Sequence, residues 1–471
     1  MNFAQFFVPE ILIVVLGLGL LLWEAFGSPT IARLAKASIV GLVLIGLSAV
    51  CVSTTDTYFW SGLYVWDRLG LFFKEFLIVC TILTTLITVQ YESRIGAARA
   101  EFVILPLFAA AGMLLLVSVH DFILLFVALE LVTVSFYILV AFQRSQPLAL
   151  EAGLKYLVIG ALASGFLVMG IAYLFGFTGS TQFDVVAGVI ETQGASAGIL
   201  FGVLLVLVGI AFKISAVPFH VWAPDVYQGA PAPITAFLAV ASKAAGFAVL
   251  IRVLDQPFSE VALEPRWIAA LTVLAILSLL LGNLAGLPQR NIKRLMAYSG
   301  IGHAGFILSA LSSNSVAGHQ AALFYLVTYL LAYYTIFLVL AIVSKGGGKE
   351  TVQDFVGLSR RSPLLAWSAS LAFISLAGLP PLAGFFAKFL VFYSNWQSGQ
   401  YVLLVVGIVS AVAALYYYLS MVRSMFWADP IETAPIVLCN GTKIVLWVLI
   451  VLTVGLGFYM RPLLSLVGHA L

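Results

Sequence analysis

The stretch GIAFKISAVPFHVWAPD, Gly209–Asp225, decides the fold. It starts as an apolar helix with Lys213 inside it. Pro218 has no N–H, so the carbonyl of Ile214, next to Lys213, loses its helical partner. His220 follows two residues later. A second stretch, SLAGLPPLAGFFAKF, Ser375–Phe389, has the same character. Pro380 and Pro381 free the carbonyls of Leu376 and Ala377, and Lys388 lies two turns into the helix that follows. Unwound backbone at membrane depth survives only where protein buries it or it lines a wet cavity. Two broken helices, each with a lysine, point to an ion path rather than to two ordinary proline kinks.

The surrounding chain is membrane-like. Of 471 residues, 62% are hydrophobic and 9% charged, too little polar surface for a soluble domain. Fourteen apolar runs read as spans, beginning near Val8, Ala37, Leu69, Phe102, Phe122, Leu154, Gly198, Ile234, Trp267, Leu295, Ala321, Leu364, Tyr401 and Ile444. Short loops leave no room for a soluble catalytic domain. There is no Rossmann fingerprint, P-loop or paired CxxC, and Cys51, Cys80 and Cys439 are scattered. A net charge of +3 gives no footing for nucleic acid. The lack of a basic residue before Arg33, with Glu10 in the first apolar run, argues against a cleaved leader.

The 23 Lys and Arg sort by loop. Fourteen lie on the side of the loops after odd-numbered spans: Arg33, Lys36, Arg94, Arg99, Arg144, Arg290, Lys293, Arg294, Lys345, Lys349, Arg360, Arg361, Arg423 and Lys443. Four lie on the other side: Arg68, Arg252, Arg266 and Arg461. The first side is therefore expected to be cytoplasmic, with both termini outside.

Five basic residues remain inside apolar runs: Lys74, Lys155, Lys213, Lys243 and Lys388. All are lysines. Arginine stays charged in any protein site, whereas a desolvated lysine can release its proton near neutral pH. Lys155 and Lys74 sit near span ends and can snorkel, Lys74 with Glu75 as its neighbour. Lys213, Lys243 and Glu130, in LLFVALELVTVSF (Leu124–Phe136), lie too deep for that. Charges at that depth cost about 2.5–3.5 kcal/mol each on the insertion scale, so they usually pair and carry function.

The chain also repeats. EAGLKYLVIGALA (Glu151–Ala163) and QAALFYLVTYLLA (Gln320–Ala332) match at seven of thirteen positions, at an offset of 169. Arg252 and Arg423 fall at a nearby offset, 171. The unit holds five spans. Five is odd, so the second copy is expected to enter the membrane inverted. The fold expected is an all-α membrane protein with about fourteen spans and two inverted five-helix repeats. Its parts are an N-terminal three-helix segment (1–100), the first repeat (101–255), the second (265–427) and a C-terminal helix (440–471). Lys155 is replaced by Phe324 in the second copy, and Glu130 aligns near Ser299 or Gly300. His303, in SGIGHAGF, reads either as a relay or as a hydrogen-bonded packing residue.

LFVALELVTVSFYILVAF, FKISAVPFHVWAPDVYQGAP, TAFLAVASKAAGF and NIKRLMAYSGIGHAGF together resemble the antiporter-like membrane subunits of respiratory complex I and the related cation/proton antiporters. The resemblance covers nearly the whole chain. It implies a proton-translocating subunit of NADH–quinone oxidoreductase in a bacterial inner membrane, beside a neighbouring antiporter-like subunit and small membrane subunits. It implies no cofactor in this chain, with NADH, FMN, iron–sulfur clusters and quinone held by other subunits. It implies that Glu130 pairs with a lysine, Lys213 switches its proton affinity, His220 and Lys243 relay protons, and Lys388 passes them outward. Lys155 matches the motif. Within the family, Lys388 and the lack of a long C-terminal lateral helix narrow the choice of branch, and the thylakoid counterpart stays open. An opposite charge within a few ångströms moves a pKa by about 1–3 units. Moving one charge through 100 mV costs about 2.3 kcal/mol, less than two pKa units at about 1.36 kcal/mol each. A subunit of a gradient-driven antiporter and a purely structural subunit are the competing readings.

Overall fold

The computed structural model describes residues 9–52, 56–95, 100–261, 263–344, 350–430 and 434–471. The expected first-span start at Val8 and the loop cations Arg99, Lys345 and Lys349 lie outside these residues. The chain is helical apart from a small hairpin of β1 (Thr57–Phe59) and β2 (Tyr64–Trp66).

Before and after the hairpin run α1 (Pro9–Gly27), α2 (Ile31–Val50), α3 (Arg68–Tyr91), α4 (Glu101–Leu116), α5 (Phe122–Val140) and α6 (Pro147–Thr178). A short α7 (Phe183–Gln193) leads to α8 (Ala197–Lys213) and α9 (Trp222–Gly229), the two sides of the first break. Then come α10 (Ala232–Asp255), α11 (Glu264–Gly286), α12 (Ile292–Leu311) and α13 (Val316–Val343). The second break separates α14 (Pro363–Ala377) from α15 (Ala383–Gln397), followed by α16 (Tyr401–Trp427), α17 (Asn440–Phe458) and α18 (Arg461–Ala470). Ten of these helices are individually long and apolar enough to cross a membrane. Counting each broken helix once, and leaving out α7 and α18, the described helices follow the fourteen expected runs.

Polar side chains set the helix starts. Asp67 accepts from Gly70 N–H at 2.7 Å, Asp121 from Ile123 N–H at 2.7 Å, and Asn291 from Arg294 N–H at 3.1 Å. Between helices, small residues permit close crossings. A side chain on Gly170 would strike the backbone of Gly202 and Val206, which fixes α6 against α8. Gly282 meets the backbone of Gly302 and fixes α11 against α12 in the same way. Two helices have almost no exposed surface. Ala232–Leu254 in α10 is buried throughout, and α13 is buried over nearly its whole length. A charge on either cannot snorkel out.

The chain forms two compact units. The first is Met1–Ser215 with Gly229–Ala270, and the second is Ala216–Gln228 with Leu271–His469. The same order of elements, with one broken helix in each five-span copy, occurs twice. The breaks match in detail. Ser215 at φ +60° stands three residues before Pro218, and Gly378 at φ +80° stands three before Pro381. Both prolines follow a cis peptide bond. The offset between the breaks is therefore 163, slightly shorter than the 169 of the matching long helices.

Candidate proton-transfer site

In the first unit, Lys213 is the last residue of α8 and is 3% exposed. Its ammonium donates to Thr133 Oγ1 at 3.3 Å and lies 5.8 Å from the ring centre of Phe136. Both partners are on α5, on the same helix as Glu130. Glu130 is half-buried, and Ser164 of α6 donates to its Oε1. Lys213 and Glu130 thus share α5 as a wall, each with its own hydroxyl partner, Thr133 for the ammonium and Ser164 for the carboxylate. The resemblance implies that Glu130 pairs with a lysine, and here the hydrogen bonds of Lys213 and Glu130 go to separate hydroxyl groups.

Lys243 is 2% exposed on α10. The five residues before it, Leu238–Ser242, form a π-helical turn. Such turns recur at functional sites, because the extra residue re-aims the side chains that follow. Three residues on, Gly246 lets α10 press on the end of α8. A side chain there would meet Ile214 at 2.8 Å and the stem of Lys213 at 3.4 Å. Neighbouring helices thereby carry the two buried lysines.

Lys155 is placed differently. Its side chain is 40% exposed and it pairs with Glu151, one turn away, at 2.6 Å. Lys74 corrects the sequence expectation. It is wholly buried instead of snorkelling, and its partner is Glu10, at 3.2 Å, rather than Glu75. Arg252, sorted above as an outer-loop charge, is also buried. It grips both carboxylate oxygens of Asp67, at 2.6 and 2.8 Å, and the carbonyl of Val117. Burial opposes the Asp67 charge, but Arg252 and the Gly70 N–H together hold its carboxyl below the ordinary range.

In the second unit, Lys388 is 5% exposed and donates to the carbonyl of Ala377 at 2.9 Å. That is one of the two carbonyls the prolines were expected to free. The lysine stem runs past Gly378, where an added Cβ would lie 2.7 Å from Lys388 Cδ. Lys388, Ser375 and His303 line a cavity with Tyr325, Thr328 and Tyr329. It offers about 10 Å³ to the centre of a water molecule, close to the lower limit for holding one.

His303 is bonded through both nitrogens, Nδ1 to Tyr325 Oη at 2.7 Å and Nε2 to Tyr418 Oη at 2.9 Å. Tyr418 meets Ser299 Oγ at 2.5 Å, and Tyr333 donates to Ser299 at 3.1 Å. Of these groups, the sequence reading singled out only His303 as a candidate. Tyr325 was visible solely as a match in the repeat, because one tyrosine in an apolar helix carries no signal of its partners. His220, between α8 and α9, is half-buried, and its Nδ1 is enclosed without a hydrogen-bond partner among the described residues. In the same unit Arg294 pairs with Asp225 of α9 at 2.5 Å.

Two five-span copies, each broken beside a buried, hydrogen-bonded lysine, define an antiporter-like membrane protein. The family model described as "NADH:quinone oxidoreductase/Mrp antiporter, TM" matches residues 119–414, more than half of the chain. The chain belongs to that family. It is 40% identical over 467 residues to NADH-quinone oxidoreductase subunit N of Paramagnetospirillum magneticum, covering 97% of this chain and 94% of the relative. It is 37% identical over 436 residues to NAD(P)H-quinone oxidoreductase subunit 2 of Synechocystis, covering 91% and 83%. A chain of respiratory complex I from Thermus thermophilus, solved with bound Aureothin, superposes with a TM-score of 0.82 at 33% identity, covering 97% and 98%.

Proposed function

We propose that this chain is the subunit N-type antiporter-like membrane subunit of an NADH–quinone oxidoreductase and that it moves protons. Glu130, Lys213 and Lys243 carry them in the first unit, and Lys388 carries them in the second, with His220 beside the first break. Lys155 is the outlying member, paired to Glu151 near the surface. The single observation that supports proton transfer is that each broken helix ends on or beside a buried lysine whose hydrogen bonds, among the described residues, go to neutral partners, Thr133 and the Ala377 carbonyl. A lysine with a neutral acceptor can lose its proton without leaving a bare carboxylate behind. An arginine there could not.

In this reading the four sequence segments act as parts of one membrane subunit, with the two repeats as proton half-paths. The subunit sits multi-pass in a bacterial inner membrane with both termini on the periplasmic side. It is flanked by another antiporter-like subunit and by small membrane subunits. NADH, FMN, iron–sulfur clusters and quinone belong to other subunits, and the redox chemistry with them.

The test is NADH-driven proton pumping by membrane vesicles carrying wild type or Lys213→Ala, with complex assembly and electron transfer followed in the same samples. Collapse of pumping in an assembled complex is expected. Normal pumping by an assembled Lys213→Ala complex would move the structural reading ahead.

A further inference from the structure

A second ionisable cluster lies outside the repeats, in the first unit. Lys74 of α3 is fully buried and pairs with Glu10 of α1 at 3.2 Å. Tyr64 of β2 bridges them. The Lys74 ammonium donates to Tyr64 Oη at 2.5 Å, and Tyr64 donates to Glu10 Oε1 at 3.1 Å. The ammonium also sits 4.1 Å from the centre of the Trp66 ring. Around this chain of three, Glu10 Oε2 and the indole Nε1 of Trp66 are buried with no hydrogen-bond partner among the described residues. Both residues are more than nine-tenths buried.

Two physical points separate this cluster from a simple pin between helices. A buried ion pair is poor glue, because desolvation offsets its attraction, and an apolar pair of similar volume holds helices as well. Unsatisfied buried polar atoms at the same spot cost more still, unless water or a moving proton uses them. Position supplies a third point. Glu10 is the second residue of α1, and Lys74 lies about 10 Å along α3 from its cap Asp67. The charge sort puts both helix starts on the outer side. Arg252, from the end of the first repeat, closes on Asp67 at that level.

We infer that Lys74, Tyr64 and Glu10 form a proton-exchange site on the outer side of the N-terminal helices, a role that rests on the proton-translocating reading above. The step balances as drawn by the hydrogen bonds. Lys74 gives a proton to the Tyr64 oxygen while the Tyr64 hydroxyl proton passes to Glu10 Oε1. A charged pair becomes a neutral amine and a neutral carboxylic acid, and Tyr64 is unchanged. Rotation of the neutral Glu10 carboxyl about its Cγ–Cδ bond then swings the protonated oxygen from the Tyr64 side to the side on which Oε2 stands without a hydrogen-bond partner among the described residues, and the proton can leave from there.

The test compares Lys74→Arg, Lys74→Met and Glu10→Gln in the assembled complex, reading NADH-driven pumping per complex, with Lys213→Ala in parallel. Arginine keeps the ion pair but cannot give up its proton. The inference expects Lys74→Arg to lose pumping about as fully as Lys74→Met, at least threefold. It also expects a buried-carboxyl infrared band during turnover that Glu10→Gln removes. Lys74→Arg pumping like wild type, or all three variants losing assembly without a loss of pumping per assembled complex, would make the cluster a pin and overturn the inference. If Lys213→Ala collapses while the Lys74 variants pump normally, only this inference falls. If Lys213→Ala itself pumps normally, the reading beneath it falls.

Discussion

The two breaks are built alike in backbone and differently in chemistry. Each turns through a left-handed residue three positions before a proline, yet one uses Ser215 and the other Gly378. In the first unit the lysine precedes the break and leans on a hydroxyl of the helix that also carries Glu130. In the second it follows the break and ties the freed Ala377 carbonyl, with a His–Tyr–Ser network across the cavity instead of a carboxylate. Ser299, near the position matched to Glu130, is part of that network. The first unit therefore places a carboxyl group on the helix that its lysine leans on, and the second distributes polarity over neutral groups. The lesson is that a repeat can keep the backbone device while dividing the electrostatic work unequally.

The largest expected difference comes from removing the modulating group in each copy. Glu130→Gln should lower NADH-driven pumping per assembled complex by about tenfold or more, toward the 10²–10⁴ range of a lost proton-transfer group. Ser299→Ala should cost only about 1 kcal/mol, the net worth of a hydrogen bond or two. Equal losses would erase the proposed asymmetry.

The breaks themselves give opposite signs at matched positions. Gly378→Ala forces a Cβ against the Lys388 stem at φ +80° and should destabilise the assembled complex by about 1–3 kcal/mol, read as a lower thermal midpoint. Ser215→Gly relieves a left-handed serine and removes a buried hydroxyl that has no hydrogen-bond partner among the described residues, so the midpoint should hold or rise. A fall in both would mean that Ser215 has a partner role.

A smaller effect concerns the outer clamp. Asp67 has a depressed carboxyl pKa in the folded protein, so its contribution is fully present above the ordinary carboxylate value of about 3.9 and is lost as pH falls through the folded value. Arg252→Gln should therefore reduce stability at neutral pH and flatten the loss on acidification below about pH 4. An unchanged acid profile would deny the pairing its weight. Least affected should be Lys155→Met, within about 0.5 kcal/mol in stability and with near-normal pumping, as for an exposed helical pair.

The breaks were legible because proline chemistry is local. The loss of the Ala377 partner followed from Pro381 alone, and a buried ammonium was found on that carbonyl. Span positions were legible because apolar runs are local too. The partners of buried charges were not. Lys74 and Glu75 are adjacent in sequence, but adjacent residues on a helix point in different directions. Glu10, 64 residues away, takes the lysine instead. The sequence signal for the Lys74 partner is a second buried charge of opposite sign, and Glu10, like Glu130, stands inside an apolar run. The π turn before Lys243 has no sequence signature, since its extra residue is accommodated by packing around a wholly buried helix.

The central claim is that the broken-helix lysine works by releasing its proton, not by being positive. Lys213→Arg, measured beside Lys213→Ala for pumping per assembled complex, tests it most directly. Failure of Arg to restore pumping in a fully assembled complex is the expected result. Pumping restored to the wild-type rate by Arg would contradict the claim.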